Sequence, residues 1–262
     1  MLRLLFQCNH CEQPPSAKAF PLCEDCLNSL IPCPPLCPHC ASPECAAATN
    51  SQCLKPWAQF HERLKIKFCA AKYLLVGQGY SVLKKWKTHG GPLFDQKILQ
   101  ADRSLKDTWL KTQADWIIPI PQDLRRSWQL RRSPARITAN WISRETGVQV
   151  LEALFTVPKL IGQKRQAELA LNHRRLHSLQ FAIHPEWKNP SRPLENKKIL
   201  LVDDFMTTGH TLKTAAQELA QWGAQEVHLF CLGLRPAFVK EMGKKTGMTS
   251  TKSVLPSLRP DA

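Results

Sequence analysis

Long apolar runs are missing from this 262-residue chain: none exceeds a few residues, so no segment is expected to span a bilayer. Met1 to Phe6 meets a cysteine pair at once and offers neither the apolar stretch nor the small-residue cleavage site of a secretory signal. Membrane insertion and secretion are therefore not expected. The sequence also has no G-x-x-x-x-G-K-[ST] loop, which sets Walker-type phosphate binding aside. Acidic residues are scarce, 21 Asp+Glu against 36 Lys+Arg, leaving a formal net charge of +15. Such an excess suits a polyanionic partner, whether phosphate, nucleotide or nucleic acid. Apolar content is ample, at 43% with eight Trp, which excludes a mainly disordered chain. The length admits one large domain or two smaller ones.

Eleven cysteines are present, nine of them before residue 54. Cys8-Asn-His-Cys11 and Cys23-Glu-Asp-Cys26 are C-x-x-C knuckles, and each lets two thiolates reach one ion. Together they complete a tetrahedral sulfur site suited to Zn2+. Disulfides and a redox C-x-x-C are the alternatives, although no thioredoxin-like pattern surrounds either knuckle. Cys37-Pro-His-Cys40 is a third knuckle without a partner pair; Cys53, Cys45, Cys33 or His39 could complete a second site. No water-activating base lies beside these positions, so the zinc is expected to be structural. Cys69 and Cys231 lie in apolar surroundings and read as small buried side chains.

Residues 1–56 carry a net charge of −1, so the positive charge belongs to the rest of the chain. We read 1–56 as a cysteine-rich domain and 57–237 as an α/β domain whose 57–110 stretch is a connecting or hood segment. The tail, 238–262, reads as disordered and basic. Within 57–110, Tyr80 to Lys87 reads as a short amphipathic helix, ended by Gly90-Gly91-Pro92. Strands are expected at Trp116–Pro121, Val148–Phe155, Lys198–Val202 and Glu226–Leu232. Ser133-Pro134 opens a helix that Gly147 closes, and a second helix covers Thr211–Trp222. Strands separated by helices of this length predict an open, mostly parallel sheet.

The most informative stretch is Ile199-Leu-Leu-Val-Asp203-Asp204-Phe-Met-Thr207-Thr208-Gly209-His210-Thr211. A buried strand delivers two carboxylates to its C-terminal end, where open α/β sheets bind ligands. Adjacent carboxylates can accept hydrogen bonds from the vicinal hydroxyls of a ribose. Gly209 permits close approach of the backbone to a phosphate, and the threonine hydroxyls converge with the amides of a helix start. This order of groups suits a ribose 5-phosphate. A magnesium pocket for phosphoryl transfer and a plain capped turn are the competing readings.

Val202-Asp203-Asp204 through Thr211 resembles the phosphoribosyl pyrophosphate (PRPP) motif of type I phosphoribosyltransferases. Together with the knuckles, the chain from Cys8 to about Leu234 resembles the ComF/GntX family, which joins a zinc ribbon to such a domain. The resemblance implies a PRPP pocket built on Asp203, Asp204, Thr207, Thr208, Gly209, His210 and Thr211. It also implies Mg2+ accompanying PRPP and a role in DNA uptake during natural transformation beside other competence proteins; the cytoplasmic location is expected from reduced thiols, zinc and the lack of a signal. Ile118-Pro119-Ile120-Pro121 is similar to the family's V-P-V-P pyrophosphate loop, with Arg125 and Arg126 nearby. Gln166, Leu169 and Arg174 resemble its flexible-loop region. Where the family has R-G-F-N, this chain has Arg131-Arg132-Ser133-Pro134, so only the first arginine matches.

Residues 120–180 hold eleven Arg/Lys against Asp123, Glu145, Glu152 and Glu168, a net of +7. Arg125, Arg126, Arg131 and Arg132 with the interleaved Trp128 suit a single-stranded nucleic acid, its phosphates neutralised and a base stacked. A solvated basic face around a core Trp128, or arginines that only balance pyrophosphate, would look the same in sequence. Three functions remain open on these residues: a DNA-binding transformation protein with a PRPP pocket, an active phosphoribosyltransferase, or a scaffold with a vestigial pocket. His210 lies in the phosphate loop without an assigned role, and no general base is identifiable.

Overall fold

Apolar strands with β-branched and leucine-rich sequences pair at the centre of the chain, and helices cover both of their faces. The computed structural model describes residues 7–14, 21–36, 66–100, 103–122, 132–157, 181–185 and 194–235. In chain order the described elements are α1 (Glu24–Asn28), β1 (Ile66–Leu74), α2 (Gly77–His89), α3 (Pro92–Leu99), α4 (Arg103–Lys111) and β2 (Trp116–Pro119). They continue with α5 (Pro134–Thr146), β3 (Leu154–Thr156), β4 (Phe181–Ile183), β5 (Lys198–Met206), α6 (His210–Gln221) and β6 (Glu226–Leu234). The main sheet has the order β1-β6-β5-β2 with every pair parallel. β3 and β4 form a separate antiparallel pair. The expected open, mostly parallel sheet is present.

Alternation along β5 sorts its side chains between two cores. Ile199 and Leu201 pack with Leu212, Ala215, Ala216 and Leu219 of α6. Leu200 and Val202 pack on the other face with Phe230 of β6, Ile142 of α5 and Trp109 of α4. Further along that face, Leu232 joins Val82, Leu83 and Trp86 of α2, Phe94 and Ile98 of α3, and the buried cysteines Cys8, Cys23 and Cys26. Each fully buried leucine or isoleucine contributes about 2 kcal/mol through lost apolar contact with water.

Local signals place the helices. Ser133 caps α5 by accepting from the Arg136 N–H at 3.4 Å, Pro134 occupies its first turn, and Gly147 closes it at φ 77°. Gly90 ends α2, and Gly91-Pro92 opens α3.

Several strands differ from expectation, β4 among them, since none was expected at Phe181–Ile183. β5 does not stop at Val202 but runs to Met206, because β6 continues beside it through Asp203↔Cys231 and Met206↔Leu234. The stretch 148–155 is divided: Val150 bridges Ile117 in parallel, and the chain then turns so that Leu154–Thr156 pairs with β4. β1 carried no strand expectation, yet it forms an edge of the main sheet beside β6. Among the described residues, no helix is long and apolar enough to cross a membrane. The 57–65 stretch and the 238–262 tail lie outside the described residues.

Candidate ribose-phosphate site and cysteine cluster

At the C-terminal end of the sheet, β5 outruns its neighbour β2. Their pairing ends at Pro119↔Val202, and the last contact is the Ile120 N–H donating to the Val202 carbonyl at 2.8 Å. Beyond Val202, β5 is flanked among the described residues only by β6, and the crevice so opened is where parallel sheets take ligands. Asp203 and Asp204 occupy this position. Pro119, Ile120 and Pro121 lie at its β2 side; the first two are buried and Pro121 is half-buried.

Neighbours on a strand face opposite ways, and the two aspartates do so. Asp203 lines a small recess with Phe205, Met206, Thr207, Thr208, Gly209, Thr211 and Leu212. Burial and the adjacent Asp204 charge push its carboxyl up to about 8, against the opposing pull of the Asp204 N–H and Lys87. That N–H donates to Asp203 Oδ1 at 2.8 Å. Asp204 does not line the recess. Its Oδ1 accepts from the Phe205 N–H at 2.6 Å, and its Oδ2 pairs with Lys87 Nζ at 2.7 Å.

The recess floor is the start of α6. Gly209 takes φ 70° as the N-cap, a left-handed conformation that costs glycine little, and it is buried. Thr207, Thr208 and His210 are exposed, and Thr211 is half-buried. The His210 N–H donates to Thr208 Oγ1 at 3.4 Å. The unpaired first-turn amides of a helix favour an anion at this place.

The four knuckle cysteines converge as their spacing implies. The Sγ atoms of Cys8, Cys11, Cys23 and Cys26 all lie within 4.8 Å of one another, with Cys11 and Cys23 at 3.4 Å. Tetrahedral zinc with Zn–S bonds near 2.3 Å requires sulfurs about 3.8 Å apart, so the donor set fits such an ion. None of the seven described cysteines forms a disulfide. Burial raises the Cys11 and Cys26 thiols, and hydrogen bonds with neighbouring thiols add to the rise at Cys26. At Cys8 burial acts the same way but is overcome by the N–H groups of Cys11, His10 and Cys23, which bring the thiol down to about 6. Four sulfurs so close cannot all ionise without a cation among them.

His10 and Lys87 connect this region to the rest of the molecule, and the sequence reading gave neither a role. His10 places Nδ1 3.2 Å from Cys26 Sγ and Nε2 3.0 Å from Ser81 Oγ of α2. Lys87, at the other end of that helix, reaches Asp204. An amphipathic helix was legible over 80–87, but nothing in sequence pairs a lysine with an aspartate so distant from it.

Arg132 is only 13% exposed; its guanidinium donates to Asp95 Oδ1 at 2.6 Å and lies 5.5 Å from the Trp86 ring. Trp86 Nε1 donates to the same oxygen at 2.8 Å. Arg125, Arg126, Trp128 and Arg131 lie outside the described residues, as do Cys37, Cys40, Cys45, Cys53, His39, Gln166, Leu169 and Arg174. Cys33 is described; burial pushes its thiol up to about 12.

Comparison with known proteins agrees with this fold. The phosphoribosyl transferase domain family matches residues 156–252. The chain is 25% identical over 249 residues to DNA utilization protein YhgH of Escherichia coli O157:H7, covering 88% of this chain and 98% of that protein. The purine phosphoribosyltransferase from Pyrococcus horikoshii Ot3 is similar with a TM-score of 0.34 and 19% identity, over 53% of this chain and 71% of its own. The allosteric regulatory enzyme of purine biosynthesis gives a TM-score of 0.33 and 17% identity, over 54% of this chain and 26% of its own. Residues 156–252 are thus similar to phosphoribosyl transferase domains, and the cysteine cluster resembles a zinc ribbon.

Proposed function

We propose that this chain binds a ribose 5-phosphate ligand, PRPP foremost, and acts in DNA uptake with single-stranded DNA as a macromolecular partner. The observation that carries the reading is the aspartate pair standing where β5 outruns β2, next to the Gly209 turn that opens α6. In this reading Asp203 takes a ribose hydroxyl from the recess, and Asp204, on the other face of the strand, acts on the ligand through its ion pair with Lys87. Thr207, Thr208, Gly209, His210 and Thr211 surround the 5-phosphate. Pro119, Ile120 and Pro121, with Arg125 and Arg126, face the pyrophosphate and its accompanying Mg2+. Cys8, Cys11, Cys23 and Cys26 hold a structural Zn2+, with a second ion at Cys37, Cys40 and Cys53 as a further element of the proposal.

The DNA role draws on the similarity to a DNA utilization protein and on the basic 120–180 stretch. Arg125, Arg126, Trp128 and Arg131 are its proposed contacts; Arg132, held by Asp95, contributes by anchoring that stretch.

Calorimetric titration with PRPP and Mg2+ tests the pocket. Wild type binds, and Asp203→Asn/Asp204→Asn lowers affinity about a hundredfold or more, as loss of buried hydrogen-bonding partners requires. Equal binding by both proteins would exclude the aspartates. Turnover is tested in the same samples by pyrophosphate release. DNA affinity should fall steeply between 50 and 200 mM salt, in the manner of phosphate-dominated binding, with the slope reduced in an Arg125/Arg126/Arg131 charge-removal variant.

A further inference from the structure

Lys87 is supplied by a helix outside the matched phosphoribosyl transferase region, yet it meets the aspartate pair directly. Its Nζ lies 2.7 Å from Asp204 Oδ2, with side chains 22% and 11% exposed, and 5.0 Å from the Phe205 ring centroid. Tyr80, one face further back on α2, has its ring 6.5 Å from the same Phe205 ring. The lysine therefore approaches along an aromatic wall, where its stem is packed and its ammonium has one direction to point.

The helix that presents it is gripped at its other end by the cysteine cluster. Ser81 meets His10, Gln78 Nε2 donates to Cys26 Sγ at 3.5 Å, and Lys85 Nζ donates to the His10 carbonyl at 3.3 Å. A Cβ at Gly79 would stand 2.2 Å from the Ser29 carbonyl oxygen, so the backbones there are in direct contact. The helix backbone that carries Lys87 is held by these contacts around the cluster.

Two adjacent carboxylates with little access to water repel each other, and an anionic phosphate ester brought to them meets further repulsion. A fixed cation at the pair counters both. We propose that Lys87 is a positioning residue of the ribose-phosphate site: it fixes Asp204 and supplies the positive charge that lets an anionic sugar phosphate settle on the aspartate pair. This inference rests on the ribose-phosphate reading above. It deepens that reading by making the pocket composite, part PRPP motif and part α2.

The experiment compares wild type with Lys87→Met, Lys87→Gln and Lys87→Arg, in zinc-loaded protein titrated with ribose 5-phosphate and with PRPP plus Mg2+. Methionine keeps the stem against Phe205, and thermal midpoints check that each variant folds; glutamine serves if methionine does not. The expected result is a loss of about tenfold or more in affinity for both ligands in the uncharged variants, as when one partner of a buried charge pair is truncated. Lys87→Arg recovers affinity to within about threefold of wild type, because the charge is restored. Uncharged variants that bind as tightly as wild type, or tighter, overturn the proposal, as does failure of arginine to recover binding. Wild type that binds neither ligand sinks the ribose-phosphate reading and this inference with it, so the two failures are told apart by the wild-type titration.

Discussion

The molecule concentrates like-charged groups in two places and settles each differently. In the cysteine cluster four sulfurs share one small volume, and a metal ion fits among them. At the aspartate pair the balancing charge is internal, the ammonium of Lys87. The difference has a physical origin. A cluster of thiolates needs an added cation to offset its mutual repulsion, whereas the aspartate pair meets a side chain that the fold itself supplies. The first site is therefore suited to an added ion, and the second carries its counter-charge in the fold.

The sharpest way to break this contrast is to remove a sulfur. Cys23→Ser leaves three donors, and bound zinc, measured by a chromogenic chelator after mild unfolding, should fall by one equivalent. Because structural zinc carries about 10–16 kcal/mol of apparent binding free energy in small fingers, the packing of α1 on α2 should be lost with it. Gly79→Ala tests the joint between the two sites with the metal donors intact. Its new Cβ would meet the Ser29 carbonyl, and the thermal midpoint should drop by about 5 °C or more.

A smaller effect, of opposite sign, is expected at the pair itself. Asp203 is raised from 3.8 to about 8 in the folded chain, so the native state binds its proton more tightly than the unfolded state. Stability from this group is full below about pH 4, declines as the pH rises toward 8, and is flat beyond. Asp203→Asn removes that slope and should raise the thermal midpoint at pH 8.5 by about 3 °C, while ligand binding is lost. A midpoint that falls in this variant would mean that Asp203 stabilises the fold in its ionised form.

How much of this could be read beforehand depends on the range of each interaction. The knuckles were legible because both halves of each are three residues apart and share one partner. The α5 caps were legible because Ser133, Pro134 and Gly147 act on their own backbone. The aspartate motif gave the strand end and the phosphate turn, yet it did not reveal that β5 continues to Met206, since that depends on β6 continuing beside it. It also suggested two carboxylates facing one ligand, whereas strand alternation sends Asp203 to the recess and Asp204 to Lys87. β1 was hidden for a related reason: Ile66–Leu74 interleaves lysines and small residues with its apolar ones, and only its parallel pairing with β6 makes it a strand. Arg132 counted toward a basic surface in sequence, and its engagement with Asp95 and Trp86 became visible only once α3 and α5 were brought together.

The Arg132 anchor also sets a length scale. Residue 120 is tied to β5 by its N–H, and residue 132 is tied to α3 by its guanidinium, so residues between them are leashed at both ends. Eleven intervening residues at about 3.5 Å each give a contour near 40 Å, and a doubly tethered chain reaches no more than about half of that from its anchors. If the proposed DNA contacts at Arg125, Arg126 and Arg131 hold, a bound strand stays within roughly 20 Å of the chain that borders the proposed sugar-phosphate pocket. At such a separation two ligands held on one molecule meet at an effective concentration in the millimolar range. Proximity of that kind needs no conformational signal between the two.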